Sequence, residues 1–166
     1  MLFTHGLSLP DHLRIYTIGH STRELSQLLS ILKAYGVEIL VDVRRFPRSR
    51  KNPQFNREQL KAELEKAGIR YCWLGDLLGG FRRGGYKEYT KTSSYKQGIK
   101  TLIELSKSGT TAIMCAEALW FRCHRRYISD TLASMGIEVV HILSETRSYR
   151  HKLRGAASRH SRSLEE

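Results

Sequence analysis

The sequence predicts an α/β fold: a three-layer domain whose five-stranded, mostly parallel sheet carries helices on both faces. Two observations point there. Short apolar, β-branched runs alternate along the chain with segments whose leucines and isoleucines recur at helical spacing. Two of the runs, Val37–Val43 and Thr111–Met114, are almost continuously apolar, as in strands covered on both faces. The expected strand order is 3-2-1-4-5, with the reversal of winding between the first and fourth strands; an order of 2-1-3-4-5 fits the same elements.

In chain order, residues 1–13 read as an irregular segment and 14–146 as the single α/β domain. Arg14–Gly19 is the first strand. Ser21 and Glu24 have the spacing of a capping box, and Leu25, Leu28, Leu29 and Leu32 continue a helix to about Tyr35, ended by Gly36. Val37–Val43 is the second strand. A capping signal at Asn56–Gln59 opens a helix with Leu60 and Leu64 on its apolar face, and Gly68 closes it. Ile69–Leu74 is the third strand. Gly75–Gly85, with five glycines, is expected to be a binding loop or lid. Tyr86–Thr90 reads as a helical turn, and Ser94 caps a helix through about Ser106. Thr111–Met114 is the fourth strand, Arg122–Met135 the helix after it, and Ile137–Leu143 the fifth strand.

The length of 166 residues and the apolar content of 40% suit one soluble domain. No stretch approaches a membrane span, Met1–His12 lacks signal-peptide character, and the thiols Cys72, Cys115 and Cys123 suit a reducing compartment, so a cytoplasmic protein is expected. The formal charge of +12, with a pI near 9.9, calls for a polyanionic partner. Much of it sits in Arg44–Lys51 and in a basic tail over 147–166. Arg48, Arg50, Lys51, Arg147, Arg150, Lys152 and Arg154 are the candidate nucleic-acid contacts. The tail has a plainer reading as a solvated end.

At the carboxyl edge of such a sheet the first strand delivers His20 and Ser21, the second Asp42, Arg44 and Arg45, and the fourth Cys115 and Glu117, with Arg122, Cys123, His124 and Arg125 close behind. Together they supply a nucleophile, acids and cations near helix N-termini, where anions are favoured. Cys115 beside cations at a strand end is the candidate nucleophile. Glu117 or Asp42 is the acid or base, His20 or His124 the proton carrier, and Ser21, Arg44, Arg45, Arg122 and Arg125 the anion holders. Each also has a plainer reading: Ser21 as a cap, Asp42 as a partner for an arginine, Cys115 as an inert buried thiol, His124 as a surface residue. Cys115 and Arg122 are spaced C-x6-R, one residue longer than the C-x5-R of cysteine-dependent phosphatases, and the loop between them has no glycine. Cys115, Cys123, His124 and His20 are zinc-ligand types. Their C-x7-C-H spacing lacks the paired C-x2-C of structural sites, so no cofactor is expected and zinc is the lesser alternative.

Several motifs in order resemble one family: Tyr16–Ser21, Val41–Ser49, Asn52–Phe55, Gly68–Tyr71, Leu78–Gly80, Met114–Ala118 and Arg122–Arg125. Over about Arg14 to Ser144 the chain resembles domain of unknown function 488. That resemblance implies an α/β domain with no agreed activity, substrate or cofactor. Many relatives carry Pro-Trp where this chain has Trp120-Phe121, and the segment after Gly80 is short here. The residues favour an enzyme acting on a phosphorylated substrate, a nucleotide or nucleic acid. The alternatives are a non-catalytic nucleic-acid-binding module, with Trp120 or Tyr86 stacking on bases, and a thiol or metal sensor.

Overall fold

The computed structural model describes residues 13–153. The expectations for Met1–His12 and for Arg154 onward lie outside the described residues. The elements are β1 (Arg14–Gly19), α1 (Leu25–Ala34), β2 (Ile39–Asp42), α2 (Arg57–Lys66), β3 (Arg70–Trp73), α3 (Gly75–Leu78), α4 (Tyr86–Tyr89), α5 (Ser93–Ser106), β4 (Thr111–Cys115), α6 (Arg125–Ser134), β5 (Glu138–Ile142) and β6 (Ser148–Arg150). Short 3₁₀ turns at Pro53–Phe55 and Trp120–Arg122 complete the order. Among the described residues no helix is long and apolar enough to cross a membrane.

The fold is α/β, as the alternating periodicity predicts. The sheet has six strands in the order β3-β2-β4-β1-β5-β6, so β4 and β1 stand exchanged relative to the expected 3-2-1-4-5. Periodicity marks a strand's faces but not its neighbours; β4, buried at all five residues, takes the place between β2 and β1. The sixth strand pairs antiparallel with β5 and lies in what reads as basic tail. Helices cover both faces. Leu28, Ile31 and Leu32 of α1 and Leu60 and Leu64 of α2 pack with Ile18, Leu40 and Met114. Ile99, Leu102 and Ile103 of α5 and Ile128 and Leu132 of α6 pack with Ile15, Val41 and Ile113 on the other face. Alternation along each strand divides the two cores, as period-two side chains require.

Several ends differ from the sequence reading. Ser21 is not a cap: it turns the chain with φ 51°, and α1 starts later, with Glu24 as N-cap in a reciprocal box with Gln27. Asn56 does precede α2, but its side chain accepts from the Ser49 amide (2.7 Å) instead of capping the helix. Thr92, not Ser94, caps α5, accepting from the Tyr95 amide at 3.2 Å. The glycine-rich segment is not all loop. Its first half is α3, whose Leu78 is buried, and Gly79 lets it lie against Arg45. The segment after β4 opens with a 3₁₀ turn, and α6 starts at Arg125 rather than Arg122.

Pairing of β1 with β4 continues past the strands, through His20 N to Cys115 O (2.9 Å) and Ser21 N to Ala116 O (3.0 Å). The chain after β4 then crosses over Gly19, where a Cβ would meet the Glu117 carbonyl oxygen at 1.8 Å. Gly19→Ala should therefore force this crossing apart and lower stability by about 1–3 kcal/mol. An unchanged urea midpoint would show that the crossing yields freely.

Candidate functional site

The carboxyl ends of β1, β2 and β4 meet in one cavity of about 520 Å³. His20, Ser21, Arg44, Arg45, Arg48, Cys115, Glu117, Arg122, Cys123 and His124 line it, with Phe46 and Phe81 at its rim. Asp42 and Arg125 lie behind that lining.

On the β2 side, Asp42 is fully buried and its carboxylate is saturated. Arg44 donates through Nε to Oδ1 (2.9 Å) and through Nη2 to Oδ2 (2.7 Å), and the Tyr71 hydroxyl also donates to Oδ2. The second bond from Nη2 goes to the Phe55 carbonyl at 2.8 Å. Burial, with the Asp42 charge next, pushes the Tyr71 phenol far up, so it stays a donor. Asp42 thus has the plainer role, as the anchor of Arg44. Arg44 presents Nη1 to His20 Nε2 at 3.4 Å and is itself buried.

The two cavity histidines are neutral rings tied to backbone. His20 Nδ1 donates to the Ser21 carbonyl (2.8 Å), and its ring stacks on Phe55 with centroids 4.3 Å apart. His124 Nε2 donates to the Val43 carbonyl (2.8 Å), tying the start of α6 to the end of β2. Loss of solvation on burial is the main cause that lowers each to about 4.

The thiols divide unequally. Cys115 Sγ lies 3.2 Å from Cys123 Sγ. Cys123 Sγ also accepts from Arg125, from its backbone N and its Nε, both at 3.4 Å. Two donors from Arg125 and the Cys115 thiol beside it favour ionisation of Cys123 over Cys115. The Cys115 bond, and then the Arg125 charge, lower Cys123 to about 6. Burial and the same bond push Cys115 well above its ordinary value. The candidate nucleophile is therefore Cys123. Cys115, at the buried end of a central strand, keeps its proton.

Arg125 is 1% exposed and lies behind the cavity lining. Nη2 donates to the carbonyls of Glu117 and Ala118 (2.5 and 3.2 Å), and Nη1 donates to Thr17 Oγ1 at 3.2 Å. Thr17 Oγ1 lies 2.6 Å from His141 Nδ1, His141 Nε2 lies 2.9 Å from His151 Nδ1, and His151 Nε2 donates to Asp130 Oδ1 at 2.7 Å. The carboxylate can only accept and the guanidinium can only donate, so with neutral rings the protons of this row point from Arg125 towards Asp130. Trp120 covers the row, stacked on His141 at 4.4 Å and 5°. Burial, His151 and Arg125 lower His141 to about 3.

The remaining cations, half-buried Arg45 among them, face the cavity or solvent. Arg45 Nη1 donates to the Phe81 carbonyl (2.5 Å), and its guanidinium lies 5.5 Å from the Phe46 ring centroid. Arg48, Arg50, Lys51, Arg122, Arg147, Arg150 and Lys152 are all exposed; none has a carboxylate in ion-pair range among the described residues. Glu117 is exposed, and its Oε1 accepts from the Leu119 amide at 3.1 Å. Among the described residues no three His, Cys, Asp or Glu side chains converge as a metal centre requires. Sequence reasoning missed Thr17, Tyr71, Asp130, His141 and His151. A threonine and a histidine inside apolar strand runs were the available signal, because a buried polar group must have a partner.

Fold and site together define an α/β domain with two touching cysteines and several arginines at the carboxyl edge of its sheet. The chain belongs to the family described as domain of unknown function DUF488, matched over residues 24–132. It is also similar to the serine/threonine-protein kinase TEL1 of Gibberella zeae, at 24% identity over 103 residues. That stretch is 62% of this chain and 4% of the kinase, so the chain spans only a small part of that protein's length. No solved structure gives a significant match.

Two outcomes follow from the charges. Iodoacetamide should modify Cys123 before Cys115, with a rate that rises through about pH 6, against about 8.5 for an ordinary thiol; a profile centred at the ordinary value would remove the thiolate. Stability should fall as pH drops below 6.5, because His20 and His124 at about 4 and His141 at about 3 refuse protons that the unfolded chain accepts. Urea midpoints that stay level from pH 6.5 down to about 4 would contradict these burials.

Proposed function

We propose that the protein is a thiol-dependent enzyme acting on a phosphate-bearing substrate, with a nucleotide as the favoured class. The observation that carries this is Cys123 Sγ, met by Arg125 N and Nε and by Cys115 Sγ, on a cavity also lined by Arg45, Arg48 and Arg122. A phosphate-binding site needs no activated sulfur, and a buried structural cysteine needs no free arginines around it. In this reading the arginines bind the non-bridging oxygens. Cys123 Sγ attacks phosphorus, forming an S–P bond as the bond to the leaving oxygen breaks. Water then cleaves the S–P bond, with the exposed Glu117 carboxyl exchanging the protons of both steps. His20 and His124, neutral and tied to carbonyls, hold the loops. Phe46 and Phe81 are 64% and 83% exposed at the rim, and Phe81 keeps a left-handed backbone at φ 58°; exposed aromatic faces beside arginines suit a base.

The test is a screen of nucleotides and simple phosphomonoesters, with rapid denaturation and mass spectrometry of the quenched protein. A phosphoryl group should appear on Cys123, and Cys123→Ser should lose nearly all turnover. Arg122→Ala should raise KM about tenfold with less change in kcat. Turnover that survives Cys123→Ser would overturn the thiol mechanism.

The exposed cations Arg48, Arg50, Lys51, Arg147, Arg150 and Lys152, none of them ion-paired among the described residues, favour a second reading, nucleic-acid binding without catalysis. Modest affinity with little sequence preference is expected, with a log–log salt slope of about 3–5. Absence of binding at low salt would leave those charges as a solvated surface.

A further inference from the structure

We propose that Cys123 and Cys115 are a peroxide-responsive dithiol, in which Cys123 is oxidised by a hydroperoxide and Cys115 resolves it into an intramolecular disulfide. The two sulfurs already touch, at 3.2 Å. A disulfide needs about 2.05 Å, so closure takes a shift of little more than an ångström. The segment between them supplies it: Cys115 ends a rigid central strand, whereas Cys123 follows a single 3₁₀ turn over Trp120–Arg122 outside any long helix. Access is also unequal in the useful sense. Cys123 is part-exposed on the cavity, open to a small oxidant, and Cys115 is 2% exposed behind it.

The chemistry balances with the hydroperoxide as the oxidant. The Cys123 thiolate attacks the distal oxygen, the O–O bond breaks, and a sulfenic acid forms as the alkoxide or hydroxide leaves and takes a proton from water. Cys115 sulfur then attacks Cys123 sulfur. The S–S bond forms, the S–O bond breaks, and the departing hydroxide carries off the Cys115 proton as water. The sulfurs lose two electrons and the peroxide gains them. Closing the bond has a structural consequence. The thiolate is the anion closest to the buried Arg125 guanidinium, and a neutral disulfide leaves that charge with hydroxyl and carbonyl acceptors alone. The crossing segment that Arg125 holds at Glu117 and Ala118 should therefore loosen on oxidation and tighten again on reduction.

The experiment treats the whole reduced protein with a slight excess of hydrogen peroxide near neutral pH. Unreacted thiols are then alkylated under denaturing conditions, and peptides are mapped by mass. A Cys115–Cys123 cross-link lighter by two hydrogens is expected. Cys72 should be alkylated, and dithiothreitol should restore all three thiols. Cys115→Ser should divert Cys123 to a dimedone-trappable sulfenic acid and on to sulfinic acid. The wild-type map decides the matter even if that variant fails to fold. Wild-type protein in which Cys123 passes to sulfinic acid with Cys115 still free, or in which both stay alkylatable after a peroxide dose that oxidises glutathione, would overturn the proposal. So would a disulfide to Cys72. The readout is mass, not turnover, so it stands or falls separately from the phosphate-bearing substrate.

Discussion

The buried guanidinium of Arg125 is the constraint around which the rest of this site is arranged. A charge taken out of water must be met by acceptors or by an opposite charge. Arg125 has no carboxylate within ion-pair range among the described residues. Its donors are met by the hydroxyl of Thr17 on β1, the carbonyls of Glu117 and Ala118 after β4, and the sulfur of Cys123. The sulfur is the one partner in that set that can become an anion. Ionising Cys123 is thus favoured by the same contact that makes burying Arg125 tolerable. The row of hydroxyl and imidazoles from Thr17 to Asp130 carries the polarisation outward to a part-exposed carboxylate. It also stitches α6 to β1, β5 and the residue after β6.

A second buried guanidinium, Arg44, closes the opposite wall by a different solution. It has a full ion pair, made bidentate by the geometry of Asp42 and supported by Tyr71. The cavity therefore lies between two arginines whose charges are already committed. The cavity's other arginines, Arg45, Arg48 and Arg122, have no carboxylate in ion-pair range among the described residues. This division explains why so basic an edge need not be repelled from itself: its innermost charges are compensated and its outer ones are solvated.

Family membership gives the chain a kinship but no chemistry. The similarity to a much longer kinase covers a small part of that protein and adds none. The functional reading rests on the thiolate and on the free arginines beside it.

Much of the architecture is legible in the residues themselves. Near-continuous apolar runs such as Thr111–Met114 require a strand covered on both sides, and the leucine spacing after Glu24 requires a helix. That alternation places His20, Asp42 and Cys115 at one edge whichever way the strands are ordered, because every parallel strand ends there. Strand order, cap positions and the half-helical glycine segment are not legible, since each depends on what packs opposite: β4 between β2 and β1, Ser21 turned left-handed, Leu78 drawn into the core. The choice between the two thiols is of the same kind. Cys123 stands nearer to arginines along the chain than Cys115, but that spacing does not say which sulfur a guanidinium meets. Only the fold brings Arg125 Nε onto one sulfur and buries the other at a strand end. Ionisation is a property of the surroundings in space, and for that reason tertiary structure, not sequence, decides which cysteine is the thiolate.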